Sequence, residues 1–233
     1  MIIFDLDGTL ILPMDEARRH LIHSYTDFRR KLMEKAAEFG IPRDEYIGND
    51  YRMALIYNRT REIVSRSGFS KERASIIMKA LSEIIAAEEK QEHETSVALP
   101  GASETLKALK ESGHELGIVT NTSESELLGI LERFGFREYF DRYVTREHVE
   151  YLKPNPELVL RILNESGARD FFYVGDADLD VEAAGSACRL LGVRCTFILI
   201  NTRGYDETAI ASMRPEKVID SLKELLCILP SSG

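Results

Sequence analysis

The sequence contains few cysteines, no tryptophan and no long apolar run. Its three cysteines, Cys188, Cys195 and Cys227, form no CxxC pair and show no metal-ligand spacing. We therefore expect reduced thiols in a cytoplasmic protein, not a disulfide framework. No apolar run approaches the roughly 18 residues that a membrane-spanning helix needs, and the first apolar run begins at Met1 without a basic leader. These absences predict a protein that neither enters a membrane nor is exported.

Clusters of basic residues are also absent. The formal charge is -9 at pH 7, and the lysines and arginines are scattered along the chain. Nucleic acid and anionic membrane surfaces are therefore not expected partners. The charge says little about a small anionic substrate, because a bound metal ion can reverse the sign of the local field.

The hydrophobic residues, 44% of the chain, follow two different patterns. From Met14 to about Thr95 they recur every three or four positions, which is typical of helices. From Pro100 onward, helical segments alternate with continuously apolar segments such as ELGIVT, DFFYVG and CTFILI, and the initial MIIF resembles these strands. The alternation predicts an α/β fold, a doubly wound, Rossmann-like and mostly parallel sheet.

The change of pattern also predicts two domains. Residues 1–13 and 100–233 would form the α/β core, and residues 14–99 would form an all-helical domain inserted after the first strand. Nothing in the sequence distinguishes a monomer from a homodimer.

Polar residues follow the predicted core strands, whose carboxyl ends meet at one edge where ligands bind. They are Asp5, Asp7, Thr120, Asn121, Asp176, Asp178 and Asp180, with Lys153 in a KPNP loop. Carboxylates at one edge repel each other unless a cation lies among them, and oxygen ligands suit Mg²⁺. A lysine and a hydroxyl would complement phosphate oxygens. The set indicates metal-assisted phosphoryl chemistry, in which an aspartate can act as nucleophile.

Four segments, FDLDGTL, VTNTS, KPNP and GDADLD, occur in this order with a helical stretch after the first. Together they resemble the motifs of the haloacid dehalogenase (HAD) superfamily, and most closely its phosphoglycolate phosphatase and β-phosphoglucomutase branch with an all-helical cap. The resemblance implies a Mg²⁺-dependent phosphatase acting on a small phosphorylated metabolite, phosphoglycolate-like or sugar-phosphate-like. The insert would be a mobile cap that sets specificity, with hinges near Leu12-Pro13 and Leu99-Pro100-Gly101.

The resemblance also implies roles for the acidic residues. Asp5 would be the nucleophile and a Mg²⁺ ligand. Asp7 would protonate the leaving oxygen, later activate water, and bind Mg²⁺ through its backbone carbonyl. Asp176 would ligate Mg²⁺, with Asp180 close behind it or joined to the metal through water.

The phosphate-binding roles fall on three other residues. Thr120 and the backbone of Asn121 would hold the phosphate, and Lys153 would balance its charge. Arg18 and Arg19 are conceivable contacts for an anionic substrate, although a solvated helix face explains them better.

Simpler interpretations exist for some of these residues. An Asp-Gly pair between apolar runs, as at Asp7-Gly8, is a hairpin signal. Thr122, Ser123 and Glu126 fit helix capping, because Ser123 and Glu126 have capping-box spacing. Asp178 fits an exposed acid that orients its loop. The five histidines share no spacing with one another or with the cysteines, so a zinc site is not expected.

Four other functions remain open. A phosphomutase would share every core residue and differ in cap contacts. A dehalogenase would not need the GDADLD cluster, because such enzymes use no metal. A binding or regulatory module would have the same site without catalytic activity. A phosphonatase would need a cap lysine that forms a Schiff base, for which the candidates are Lys31, Lys35, Lys71 and Lys79.

Overall fold

The computed structural model describes residues 1–13, 23–46 and 52–229. Its strands are β1 (Ile2–Phe4), β2 (Ile11–Pro13), β3 (Ser96–Ala98), β4 (Leu116–Val119), β5 (Arg142–Val144), β6 (Asp170–Gly175), β7 (Arg194–Ile200) and β8 (Lys217–Ile219). Its α-helices are α1 (His23–Glu38), α2 (Met53–Arg66), α3 (Lys71–Glu94), α4 (Ala102–Glu111), α5 (Glu124–Arg133), α6 (Glu157–Ser166), α7 (Asp178–Leu191), α8 (Glu207–Met213) and α9 (Leu225–Ile228). Short 3₁₀ turns cover Arg43–Tyr46, Arg137–Tyr139, Arg146–His148 and Leu222–Glu224.

Six of the strands form one sheet in the order β5-β4-β1-β6-β7-β8. Neighbouring strands in this sheet pair in parallel. β1 lies at the centre, between β4 and β6, where the strand order changes direction. The predicted doubly wound, mostly parallel α/β sheet is therefore confirmed, and in sheets of this kind ligands bind beyond the carboxyl end of the strand at this position, which is β1 here.

β1 is apolar throughout because both faces of the sheet are covered. Ile2 and Phe4 join one hydrophobic cluster and Ile3 joins the cluster on the opposite face, and all three side chains are fully buried. Alternate side chains of a strand point to opposite faces, so a strand buried on both sides reads as a continuous apolar run.

The helices α1, α2 and α3 pack around a hydrophobic cluster of their own. Leu32, Ile56 and Leu81 lie in this cluster, and Leu152, from the loop before α6, is buried in it as well. The Ser70 side chain accepts a hydrogen bond from Arg73 N and begins α3. These helices therefore pack as a unit that also contacts the loops of the α/β part.

The chain enters and leaves the helical segment through a two-stranded antiparallel sheet. β2 pairs with β3, with Leu12 opposite Val97. A turn does follow Asp7, since Gly8 has a φ of +86° and Gly8 N donates to Ile11 O at 2.8 Å. The strands on either side of that turn do not pair with each other, because β1 pairs only within the large sheet. A plain hairpin at Asp7-Gly8 is therefore wrong.

In the described parts of the chain, every helix is too short or too polar to cross a lipid bilayer.

Candidate active site

Asp5 and Asp7 lie where the first strand ends, but their surroundings differ. Asp5 N still donates to Val174 O of β6 at 2.9 Å, and the Asp5 side chain is buried between the neighbouring strand ends. Asp7 lies two residues further on, where the chain turns out of the sheet, and 46% of its side chain is exposed. The Asp5 carboxylate is thus buried, and the Asp7 carboxylate is about half exposed.

The Lys153 ammonium joins Asp5 to Asp180. Its Nζ lies 2.6 Å from Asp5 Oδ1 and 2.6 Å from Asp180 Oδ1. The same nitrogen lies 3.2 Å from Val119 O and 3.4 Å from the Tyr173 hydroxyl. Lys153 is almost fully buried. A buried ammonium costs free energy unless it is paired, and here two carboxylates pair with it.

The loop that carries Lys153 is fixed by a side chain from another motif. Asn121 Oδ1 accepts a hydrogen bond from Lys153 N at 2.8 Å, and Asn121 Nδ2 donates to Lys153 O at 3.4 Å. On the other side of the loop, Asn58 of α2 bonds the backbone of Leu152 through both its amide oxygen and its amide nitrogen. The position of the ammonium therefore depends on amides from both parts of the molecule.

Asp176 follows β6 and is 1% exposed. Its Oδ2 accepts from Arg203 Nε at 2.6 Å, whereas its buried Oδ1 has no hydrogen-bond partner among the described residues. Gly8 packs directly on this carboxylate, since a Cβ on Gly8 would lie 2.0 Å from Asp176 Oδ2. An unpaired buried carboxylate oxygen calls for a ligand, because leaving it unsatisfied costs free energy.

Asp180 lies one turn into α7 and supports its neighbours. Besides Lys153, its Oδ1 accepts from the Tyr173 hydroxyl at 3.1 Å, and its Oδ2 accepts from Ala177 N at 3.2 Å. One oxygen from each of Asp5, Asp176 and Asp180 lies within 4.8 Å of the others. All three of these acids are buried.

This crowding shifts the pKa values of the group. Burial raises the pKa of Asp5 well above its ordinary value; Lys153 opposes this shift, and the charges of Asp180 and Asp176 add to it. Burial likewise raises the pKa of Asp176 to about 6, although Arg203 opposes the shift. Burial disfavours the charged form of Lys153, but the two carboxylates outweigh it and raise the pKa of Lys153. The cluster has an excess of negative charge that a cation would stabilise.

Both oxygens of Asp7 accept hydrogen bonds. Oδ2 accepts from Thr122 Oγ1 at 2.7 Å, and Oδ1 lies 2.9 Å from Nε2 of His93. Burial raises the pKa of Asp7, but the His93 ring and the two hydrogen bonds lower it to a net value below the ordinary one. Burial opposes charge on His93 as well, yet Asp7 raises the pKa of His93 to about 9.

The predicted phosphate-binding residues lie at the end of β4. Thr120 is buried; its backbone N donates to Val144 O at 3.1 Å, and its hydroxyl accepts from Thr122 N at 3.0 Å. Asn121 follows directly, with its side chain on the Lys153 loop as described above. Thr120 and Asn121 thus lie beside Asp5, Asp7 and Lys153, as the strand-end rule predicts.

Three residues that contact this site, Thr122, Arg203 and His93, were not predicted as part of it. Ser123 caps α5 as expected, by accepting from Glu126 N, but Thr122 bonds Asp7 and does not serve as a cap. Arg203 follows β7, so a search of every strand end would have found it. His93 has no such signal, because it lies at the end of α3 and reaches the site only through helix packing.

Other candidate residues lie elsewhere. Asp178 bonds Arg52 Nη1 at 2.5 Å and its own helix at Leu179 N, which agrees with a loop-orienting role. Arg18 and Arg19 fall outside the described residues.

The candidate Schiff-base lysines are not buried. Lys31, Lys71 and Lys79 are exposed, and Lys35 pairs with Glu38 at 2.7 Å on the surface of α1.

Comparison with known proteins finds a family that covers most of the chain. Residues 2–193 match the haloacid dehalogenase-like hydrolase family. Pyrophosphatase PpaX from Halalkalibacterium halodurans is 32% identical over 116 residues, which cover 49% of this chain and 51% of that protein. Phosphoglycolate phosphatase from Salmonella typhimurium is 33% identical over 115 residues, covering 48% and 42%. The matched segments thus span about half the length of these curated relatives.

Solved structures resemble the whole chain. A hydrolase from Pseudomonas syringae aligns with a TM-score of 0.61 at 24% identity, covering 97% of this chain and 95% of that one. A HAD phosphatase from Thermococcus onnurineus aligns with a TM-score of 0.57 at 25% identity, covering 99% and 98%. The similarity shows that the fold of the α/β part and of the helical segment recurs in other proteins.

Proposed function

The chain belongs to the haloacid dehalogenase-like hydrolases, and on that premise we propose that it is a Mg²⁺-dependent phosphatase. Its substrate would be a small phosphorylated metabolite, phosphoglycolate-like or sugar-phosphate-like, hydrolysed through an aspartyl-phosphate on Asp5. The observation that carries the proposal is the buried cluster of Asp5, Asp176 and Asp180, in which Asp176 Oδ1 has no partner among the described residues. An unpaired carboxylate oxygen next to a second buried carboxylate is the kind of ligand that binds a hard divalent cation.

The donor set consists of oxygens, which is the type that binds Mg²⁺. Asp5 and Asp176 would supply carboxylate oxygens and the Asp7 backbone would supply its carbonyl, which leaves positions for water and phosphate. Asp180 would act through Lys153 and the Ala177 amide, because both of its oxygens already accept hydrogen bonds. When bound, the cation would neutralise the charge of the cluster and polarise the phosphoryl group.

The positions of the side chains support a hydrolysis in two steps. Asp5 would attack phosphorus while Asp7 gives a proton to the leaving oxygen as the bond to that oxygen breaks. Asp7 would then take a proton from water, whose oxygen attacks the aspartyl-phosphate, so that phosphate leaves and Asp5 is restored. Asp7 lies near Asp5 and is half exposed, and its lowered pKa suits the second step, in which it acts as a base; for the first step it would have to take up a proton before giving one to the leaving oxygen.

Lys153 would stabilise the charge on the transferring group. Its ammonium touches Asp5, so a phosphate bonded to Asp5 would lie beside a fixed positive charge. Phosphate-monoester hydrolysis needs accelerations of up to about 10²¹-fold, whereas one general acid or base supplies about 10² to 10⁴. The proposal therefore relies on the nucleophile, the acid, the cations and the phosphate loop acting together.

The relatives support the substrate class without deciding the substrate. Their names describe a pyrophosphatase, a phosphoglycolate phosphatase and, in Thermotoga maritima, a phosphatase of phosphorylated carbohydrates. A phosphonatase is less well supported, since its Schiff-base lysine would need burial to lower its pKa and the four candidate lysines are not buried.

Phosphate release from a panel of phosphorylated metabolites tests the proposal. We expect Mg²⁺-dependent release from small phosphate monoesters, reversible loss in EDTA, and loss in Asp5→Asn with an unchanged circular dichroism spectrum. Turnover retained by Asp5→Asn would contradict the proposed nucleophile. Phosphoryl transfer between two positions of a sugar, without free phosphate, would identify a phosphomutase instead.

A further inference from the structure

The last two turns of α3 place two polar side chains against the α/β part. Glu89 is 8% exposed and His93 is 4% exposed. They are four residues apart, so both project from the same face of the helix. Burying such groups costs free energy unless they form hydrogen bonds, so packing alone does not account for them. Their partners identify what the end of the helix does.

Glu89 binds the loop that follows β4. Its carboxylate accepts from Arg146 Nη1 at 2.5 Å and from Arg146 Nη2 at 3.0 Å, a two-pronged pair in which both residues are buried. Arg146 Nη1 also donates to Asn121 O at 3.1 Å, and Ser123 N donates to Glu89 Oε2 at 3.4 Å. This pair fixes the end of α3 to the proposed phosphate-binding loop.

His93 binds the carboxylate of Asp7. Its Nε2 lies 2.9 Å from Asp7 Oδ1 and its Nδ1 lies 3.4 Å from Glu126 Oε2. A carboxylate faces each ring nitrogen, an arrangement that favours the ring form in which both nitrogens carry hydrogen and donate. The His93 carbonyl accepts from Arg133 Nη1 at 2.7 Å and from Ser96 Oγ at 2.9 Å, so the backbone under the ring is also fixed.

Asp7 depends on such contacts for its orientation. It lies beyond the end of β1, at an isolated bridge to Ile11 rather than in a strand, and 46% of its side chain is exposed. Thr122, from the α/β part, fixes Oδ2, and His93, from the helical segment, fixes Oδ1. Two donors on two different oxygens determine the plane of the carboxylate. A carboxylate held by one donor alone could rotate about it.

We propose that His93 is a positioning residue for the proton transfers of Asp7, so that a side chain of the helical segment completes the acid-base group of the α/β part. The proposal rests on the proposed phosphatase function and adds a residue to it. His93 does not touch the substrate; it holds the carboxylate that does. A misplacement of about 1 Å can cost about 10²-fold in rate, so the orientation of Asp7 matters to both proton transfers.

The two chemical steps depend on Asp7 in different ways. In the first step the bond from phosphorus to the leaving oxygen breaks, its electron pair stays on that oxygen, and the Asp7 proton neutralises it. A leaving group that is stable as an anion, such as p-nitrophenolate, needs little help from the proton. In the second step Asp7 takes a proton from water for every substrate alike. Misorientation of Asp7 therefore has a distinctive kinetic signature.

Two substitutions of His93 separate the contact from mere packing. The amide nitrogen of glutamine occupies nearly the place of Nε2, which faces Asp7, whereas that of asparagine matches Nδ1, which faces Glu126. His93→Asn therefore loses the donor to Asp7, and His93→Gln keeps it. Both variants lose the ring and its charge, so each controls for the other.

The first measurement is kcat/KM for a series of aryl phosphates, from p-nitrophenyl to phenyl to p-methoxyphenyl phosphate. For His93→Asn we expect a value within about threefold of the wild type with p-nitrophenyl phosphate and about 10²-fold lower with p-methoxyphenyl phosphate. For His93→Gln we expect both values within about fivefold of the wild type. A loss that is equal for every leaving group, or equal in the two variants, would overturn the proposal.

The second measurement is rapid mixing with p-nitrophenyl phosphate. His93→Asn should release p-nitrophenolate in a burst close to one equivalent per enzyme, because the aspartyl-phosphate accumulates when water is poorly activated. Lys90→Gln, an exposed change on the same helical turn, should behave as the wild type. Glu89→Gln should lower kcat/KM without steepening its dependence on the leaving group, because it loosens the helix but leaves the His93 donor in place.

The outcomes distinguish this inference from the function on which it rests. If the wild type hydrolyses none of these esters in Mg²⁺, the proposed function fails, and this inference fails with it. If the wild type is active and His93→Asn shows neither the steeper dependence nor the burst, only the role of His93 is overturned.

Discussion

Asp5 and Asp7 are separated by one residue, yet they belong to two differently built halves of the site. The core half comprises Asp5, Lys153, Asp176 and Asp180, which lie on strand ends, a loop and a helix of the α/β part. The shared half comprises Asp7 with Thr122 from the α/β part and His93 from the helical segment.

The halves differ in burial and in the source of positive charge. The core half is buried, and its principal internal cation is Lys153, which leaves an excess of carboxylate charge. In the shared half the Asp7 side chain is about half exposed, and one of its two donors, His93, comes from outside the α/β part. The difference teaches that the backbone of the proposed nucleophile is fixed by the sheet, whereas the side chain of the proposed acid-base group is oriented in part by how the helices dock.

Asp5→Asn should cause the largest loss of activity among the substitutions in the core half. We expect phosphatase activity to fall by about 10⁴-fold or more, because the proposed nucleophile is lost. The protein should keep its melting temperature in EDTA or gain a few degrees, because the crowded Asp5 carboxyl has a raised pKa and its ionised form is costly in the fold. Phosphate release measures the activity, and differential scanning calorimetry measures the melting temperature. A clearly lower melting temperature for Asp5→Asn would show that the activity was lost through unfolding and not through loss of the nucleophile.

Lys153→Met should give the largest loss of stability in the core half. Removing one member of a buried ion pair costs about 3–5 kcal/mol of unfolding free energy, since Asp5 and Asp180 lose their cation. Mg²⁺ should restore part of that loss by supplying positive charge. Glu89→Gln, which breaks the Glu89–Arg146 pair beside the shared half, should also destabilise, but Mg²⁺ should not restore it. Equal rescue of both variants in urea titrations would contradict the division into halves.

Binding of Mg²⁺ itself should stabilise the wild type. At a concentration of 100 times Kd, the linkage effect adds about 2.7 kcal/mol to the unfolding free energy. Asp176→Asn should abolish the shift, whereas Asp178→Asn should retain it, because Asp178 pairs with Arg52 on the surface. Thermal melts with and without MgCl₂ compare the three proteins, and an undiminished shift in Asp176→Asn would exclude Asp176 as a ligand.

The pH dependence of stability should give the smallest signal, and it belongs to the shared half. The pKa of His93 is about 9 in the fold, above the ordinary value of 6.5, because Asp7, Glu89 and Glu92 outweigh the effect of burial. Its stabilisation should therefore be fully present below about pH 6.5 and lost as the pH rises through 9. Glu126, on α5, also faces the ring.

Chemical unfolding in EDTA at a series of pH values measures this effect. The difference in unfolding free energy between the wild type and His93→Gln should be constant below about pH 6.5 and should shrink up to pH 9. A difference that grew with pH over this range would show that His93 is not stabilised as a cation.

The sheet and its strand ends were predictable because their signals are local. MIIF and DFFYVG are continuous apolar runs, and the residues that follow them must lie at the carboxyl edge of a parallel sheet. Arg203 was within reach of the same rule, since it follows β7. The turn at Gly8 was also predicted. The strand that pairs with β2 after this turn was not predicted, because it is β3, more than 80 residues away in the chain.

The sequence by itself determined the edge of the sheet at which Asp5 and Asp176 lie, since residues that follow parallel strands lie at the carboxyl edge. Only the tertiary structure decided what orients Asp7. His93 lies 86 positions along the chain from Asp7, and it arrives there because the helices pack around Leu152 and the Glu89–Arg146 pair. No periodicity in the sequence predicts the contact between His93 and Asp7, because the contact forms only when the surface of the helical segment packs against the surface of the α/β part.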